Sequence, residues 1–201
     1  MTYTPTTIYK KATQALNFLA RKKDGQINKM KAINLIFLAD RLHLRKYGRP
    51  IVGDMYWAMK LGPVGSLSKN VAELSSMPED ALVYAKKYIK PVDGKKQAFI
   101  SLRPGDLSVF SKTDLACLEV VYNKFSDKDQ FELAEITHKY PEWTKHKKEI
   151  EGGKKRVRMD YDDFFTETPK GDELFSQNKS DLEMAKESFS EQKEVSVFFT
   201  R

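Results

Sequence analysis

The sequence predicts an α+β fold: a mostly α-helical single domain with a small antiparallel β-sheet or hairpin and a C-terminal extension. Three observations predict it. Apolar residues recur at helical spacing through most of the first 150 positions. Alternation of period two is confined to short stretches, chiefly 54–61 and 98–102. Beyond Gly152-Gly153 the patterning weakens. The expected organisation is one domain over residues 1–150 and an extension over 151–201.

The first helix is expected after Pro5, capped by Thr6 or Thr7, with Ile8, Ala12, Ala15, Leu16 and Leu19 on its buried face. Lys22 to Gly25 ends it with cations and a glycine. Asn28 can cap a second helix, MKAINLIFLADRLHLRKY, which stops at Gly48. Its middle, Ile33 to Ala39, is apolar nearly all round, so it should sit centrally.

From Asp54 to Leu61 the residues alternate, favouring a strand. Met55, Trp57 and Met59 are expected to face the central helix, and Tyr56 and Lys60 the solvent. Gly62-Pro63 reads as a break. Val64, Leu67, Val71 and Leu74 mark a third helix, and Glu79 and Asp80 suit the start of a short helix near Pro78. Residues 88–103 read as a hairpin with an Asp93-Gly94 turn, and Pro91 places its strand at an edge. Ser111-Lys112-Thr113-Asp114 resembles a capping box before a helix buried along Leu115, Leu118, Val121, Tyr122 and Phe125. Further helices are expected over 128–139 and from Pro141 towards Ile150. In the extension, MDYDDFF and SDLEMAKESF suit short helices.

Net charge is +7, unevenly placed. Residues 1–50 carry eleven Lys/Arg against two acids, whereas residues 151–201 carry nine against twelve. Such asymmetry suits attraction between the two parts or different partners for each; solvated faces are the bland reading. The apolar runs are too short to span a bilayer, so no membrane is expected. The N-terminus, MTYTPTTIYKK, lacks the pattern of a secretory signal. With one cysteine, Cys117, no internal disulfide can form, and a reduced cytoplasmic setting is expected.

Catalytic motifs are missing. Gly152-Gly153-Lys154-Lys155 lacks the spacing of a phosphate loop, and Gly62-Pro63-Val64-Gly65-Ser66 lacks that of a nucleophile elbow. His43, His138 and His146 are too scattered for a metal site, so no metal and no cofactor is implied. Asp40 and His43, three apart on a helix, could hydrogen-bond as a structural pair or as an enzyme's acid and base. Cys117, Tyr140 and Trp143 read as core. The order helix, helix, strand, helix, hairpin is that of a winged helix, but the third helix carries Ser66, Ser68, Lys69 and Asn70 without an arginine. Nucleic acid is therefore a possible partner and not the favoured one.

LADRLHLRKYGRPIVGDMYWAMKLGPV, residues 38–64, resembles the signature of the Panacea domain family, SocA-like antitoxins often found in phages and prophages. FELAEITHKYPEW, residues 131–143, is similar to that family's Leu-x-x-x-Thr-His motif followed by a Trp. The resemblance covers about residues 5–150. It implies a non-enzymatic antitoxin of a type II toxin–antitoxin system, which binds a cognate protein toxin encoded by an adjacent gene. Family toxins include small alarmone-synthetase-like enzymes. Alternatives are a DNA-binding phage or autoregulatory protein, a proteolytic adaptor delivering the toxin to a protease, and an enzyme using Asp40 and His43. If the first motif is interface rather than scaffold, Tyr47, Arg49, Tyr56 and Lys60 are the candidate partner-binding residues, since Tyr and Arg dominate interface hot spots.

Overall fold

One helix, α2 (Lys29–Tyr47), organises the chain: every residue from Lys31 to Arg45 is buried. The computed structural model describes residues 5–92 and 97–198. Asn28 caps α2 as the sequence predicts, its side chain accepting from the Lys31 amide. Gly48 ends it at φ 66°, its N–H donating to the Leu44 carbonyl. Around α2 lie α1 (Pro5–Lys22), α3 (Ser66–Glu73), α5 (Lys112–Phe125), α6 (Gln130–Thr137) and α9 (Lys179–Phe198). The remaining helices are α4 (Glu79–Lys86), α7 (Pro141–Thr144) and α8 (Lys147–Glu151). Helix α1 starts at Pro5, which puts both candidate capping threonines inside it. Its Ala12, Ala15, Leu16 and Leu19 are buried.

Among the described residues, two three-stranded antiparallel sheets flank the helices. One is ordered β1 (Gln26–Asn28), β5 (Ala98–Ser101), β4 (Ile89–Pro91). It contains the expected hairpin, and Pro91 lies on its edge strand. The predicted Asp93-Gly94 turn lies outside the described residues. The other is ordered β3 (Gly62–Gly65), β2 (Tyr56–Met59), β6 (Val157–Arg158). Gly62-Pro63 therefore opens a second strand rather than breaking the first: Met59 pairs with Gly62 and Ala58 with Pro63. As the edge strand, β3 tolerates the proline.

Ser111 and Asp114 form the predicted capping box on α5. Asp129 and Glu132 form another on α6. The helix expected from Pro141 is two short ones. In the extension, MDYDDFF is a 3-10 turn (Tyr161–Phe165), while SDLEMAKESF lies inside the 20-residue α9. Phe164, Phe165, Phe175 and Ala185 belong to the same hydrophobic core as α2. Arg45 explains how. Fully buried on α2, it donates to the carbonyls of Phe164 (2.5 Å), Thr166 (2.8 Å) and Phe175 (2.8 Å). Burial and nearby Arg41 push its pKa down to about 10, so it stays cationic at neutral pH.

Candidate partner-binding site

The loop from Tyr47 to Met55 is built around one buried carboxylate. Asp40 Oδ1 accepts from the amides of Ile51 (2.9 Å) and Val52 (2.8 Å). Its Oδ2 accepts from the Gly53 amide (3.2 Å) and the Tyr56 hydroxyl (2.9 Å). Four donors match the lone pairs of a carboxylate. Burial pushes the Asp40 pKa up to about 6, against the opposing pull of these hydrogen bonds. Asp54 performs a similar task one turn on, accepting from the amides of Leu67 (2.8 Å) and Ser68 (2.7 Å) at the start of α3. Gly65 makes room for it, since a Cβ there would run into the Asp54 carboxylate.

A second network fixes Arg49. Its Nη2 lies 2.9 Å from Asp114 Oδ1 and donates to Ser111 Oγ at 3.0 Å. Asp114 also faces Lys11 (3.3 Å) and His43 Nε2 (3.1 Å). Desolvation opposes ionisation of Asp114, but the Ser111 amide, Lys11 and Arg49 together hold its pKa below the usual range. His43 Nδ1 lies 2.7 Å from the Arg49 carbonyl, so it must carry the proton and donate. Its Nε2 then accepts from Thr113 Oγ1 at 2.9 Å. Burial, first of all, pushes the His43 pKa down to about 4. Asp40 and His43 thus spend their hydrogen bonds on different partners, and both are fully buried. They do not form the acid–base pair that the enzymatic alternative needs. Burial likewise pushes the Cys117 thiol up to about 11.

The four candidate residues do not form one patch. Tyr47 is 45% exposed, its ring 4.7 Å from that of His43, and it borders α9 through Ala185 and Ser188. Arg49 edges a separate cleft of about 850 Å³, which Pro50, Gly53, Arg158, Tyr161 and Phe189 also line. Lys60 sits at the β2–β3 turn in another cleft, beside His138 and Trp143. Tyr56 is only 2% exposed. The alternation over 54–61 is present with the opposite phase: Tyr56 and Ala58 point inward, Met55 is exposed, and Trp57 and Met59 are half-buried. The inward phase of Tyr56 has a physical cause. Asp40 requires a hydroxyl donor, and the Tyr56 ring packs edge-on against Phe37 of α2 at 5.2 Å.

The basic N-terminal region is also less available than its composition suggests. Lys11, Lys22, Lys29, Arg41 and Arg49 have carboxylate partners, and Lys31 and Arg45 donate to carbonyls. The Arg41–Glu142 pair (2.7 Å) is fully buried, with the guanidinium 4.1 Å above the Tyr140 ring.

The two sequence motifs meet. Trp143 Nε1 donates to the Met59 carbonyl at 3.1 Å, and the His138 ring stacks on Trp143 at 3.6 Å. Gly62, at φ 101°, fits against Asn34 and Thr137, whose oxygens a Cβ would crowd. Among the described residues, no helix is long and apolar enough to cross a membrane. None of their His, Cys, Asp or Glu clusters is arranged to hold a metal ion.

Comparison with curated proteins and with solved structures gave no match. The family model described as "Antitoxin SocA-like, Panacea domain" matches residues 33–144. That span runs from α2 to the end of α7 and contains both motifs, the Asp40-centred loop and the Trp143–Met59 contact. By this match over more than half its length, the chain belongs to the family of SocA-like antitoxins with a Panacea domain.

Proposed function

We propose that the protein is a non-enzymatic antitoxin of a type II system, which neutralises a protein toxin encoded by an adjacent gene through direct binding. The observation that carries this reading is the family match over residues 33–144. The burial of Asp40 and His43 supports the non-enzymatic part, because neither side chain can reach a substrate. The DNA-binding alternative gains nothing from α3. This helix is eight residues long, Ser68, Val71 and Ala72 are buried, and Lys69 is tied to Glu73 at 2.8 Å.

Tyr47 and Arg49 remain the proposed contacts beside α9, with Lys60 as a separate one. Tyr56 acts through the scaffold instead. The two expected parts of the chain would then share the task. Residues 1–150 supply the recognition loop, and residues 151–201 border it with α9. A stoichiometric inhibitor needs a complex with a standard interface of ~1,600 Å². Gel filtration of the protein with the product of its neighbouring gene tests this. Co-elution of the pair at a fixed ratio is expected. Separate elution of two soluble, folded proteins at micromolar concentration would contradict direct binding.

A further inference from the structure

The outward face of β2 carries Trp57 and Met59, because residues two apart share a face of a strand, and exposed Met55 precedes them. Arg158 of β6 is paired directly with Trp57 and lies on that same face. The Arg158 guanidinium stands 5.8 Å from the Trp57 ring centroid and that of Arg156 4.5 Å. A hydrogen bond from Trp57 Nε1 to Ser66 Oγ (2.8 Å) fixes the ring. Immediately beside this platform, at Met59, opens a cleft of about 1280 Å³. Lys60, Lys139, Lys147, Lys154 and Lys155 line it, against one lining carboxylate, Glu151. The ion pairs of Lys147 with Glu151 and of Lys154 with Glu149 are solvent-exposed and compete weakly for these cations. Partly exposed surface from Met59, Ile150 and His138, whose ring stacks on the buried Trp143, lies among the charges.

We infer that this face and cleft bind a single strand of nucleic acid. Two features favour that ligand. From the cleft the cations continue along Lys154, Lys155, Arg156 and, past Val157, Arg158, the arrangement that tracks a phosphate backbone. Half-exposed aromatic and methionine surface interleaves with them, which suits the flat faces of unpaired bases. An acidic protein segment would use the charges and leave that apolar surface without a role. The site is distinct from α3 and shares only Lys60 with the proposed toxin contacts; the charges at Lys154, Lys155 and Arg156 belong to this site alone, so either property can fail without the other.

Of the two tryptophans, Trp57 is half-exposed on this face and Trp143 lies beneath the cleft wall, so intrinsic fluorescence reads the site. The experiment titrates the full chain with labelled oligouridylate and oligothymidylate of roughly ten nucleotides, with parallel titrations at about 50 mM and about 200 mM salt. Expected are tryptophan quenching and steep salt weakening, with a log–log slope of magnitude ~3 or more. The variant Lys154→Gln/Lys155→Gln/Arg156→Gln should lose ~10-fold or more in affinity. The charge-matched control Lys23→Gln/Lys86→Gln/Lys87→Gln should lose less than ~3-fold. The ribose and deoxyribose arms decide which nucleic acid is preferred. Absence of binding at low salt, equal losses in the two variants, or equal displacement by polyglutamate would each overturn the inference.

Discussion

The Tyr56 hydroxyl donates to Asp40 Oδ2 at 2.9 Å, deep in the core and sixteen positions along the chain. This contact locks β2 to α2 and decides which face of the strand looks outward. It also completes the carboxylate's set of four donors, three of which are loop amides. The loop bearing Arg49 is therefore positioned by a buried acid that never meets solvent.

Tyr56→Phe should destabilise the fold by about 1–3 kcal/mol, because it leaves a buried carboxylate one donor short. Chemical denaturation measures the change. Partner binding at concentrations where the variant is folded should be unaltered. A normal denaturation midpoint would mean that Asp40 does not need the hydroxyl.

Gly48→Val should cost ~2 kcal/mol or more. The glycine adopts φ 66°, and a Cβ there would stand 2.6 Å from the Ala185 carbonyl and 2.8 Å from Ser188 Cβ. The strain thus falls on α2 and α9 together. Hydrogen exchange should show α9 loosened; protection unchanged throughout α9 would contradict the close approach.

Arg45→Leu should release residues 164–175, whose carbonyls the guanidinium holds. Limited proteolysis would read this as new cleavage between Thr166 and Phe175 while α2, α5 and α6 stay protected. Resistance equal to wild type would mean that aromatic packing alone retains the segment.

Two buried groups titrate in opposite senses. The His43 pKa is pushed down to about 4 by burial, so between about pH 4 and 6.5 the unfolded chain holds a proton that the native one lacks. This contribution to stability rises with pH and is complete above that window. The Asp40 pKa is pushed up to about 6, so its contribution falls as pH rises from about 4 to 6. His43→Gln removes the first and leaves the second. The stability difference, wild type minus variant, should therefore increase from pH 4 to 6.5 by on the order of 1 kcal/mol per pH unit and then level off. Urea denaturation at several pH values tests it; a gap independent of pH would mean that His43 is not held neutral.

What the sequence revealed was local. Asn28, Gly48 and the Ser111–Asp114 box are recognisable because each cap is satisfied within a few residues. The apolar circumference of α2 likewise announces its central place. The phase of β2 depends on Asp40, which no pattern within residues 54–61 contains. Met55, Trp57 and Met59 offer more apolar surface than Tyr56 and Ala58, so alternation alone favours the wrong face. Strand β1 is three residues long and β6 two; both exist through their partners β5 and β2. The role of Arg45 was hidden because its acceptors lie 119–130 positions away. Of the candidate contacts, Tyr47 and Lys60 are exposed. The Trp57–Arg156 stack became visible only once the sheet had turned its other side to solvent.

The most direct test of the antitoxin reading is growth of bacteria expressing the neighbouring gene's product with and without this protein. The protein alone should be harmless, the partner alone should stop growth, and co-expression should restore it. Within that assay, Tyr47→Ala/Arg49→Ala/Lys60→Ala should weaken rescue while the purified variant still unfolds cooperatively. Continued growth arrest with both intact proteins soluble and expressed would rule out the antitoxin role.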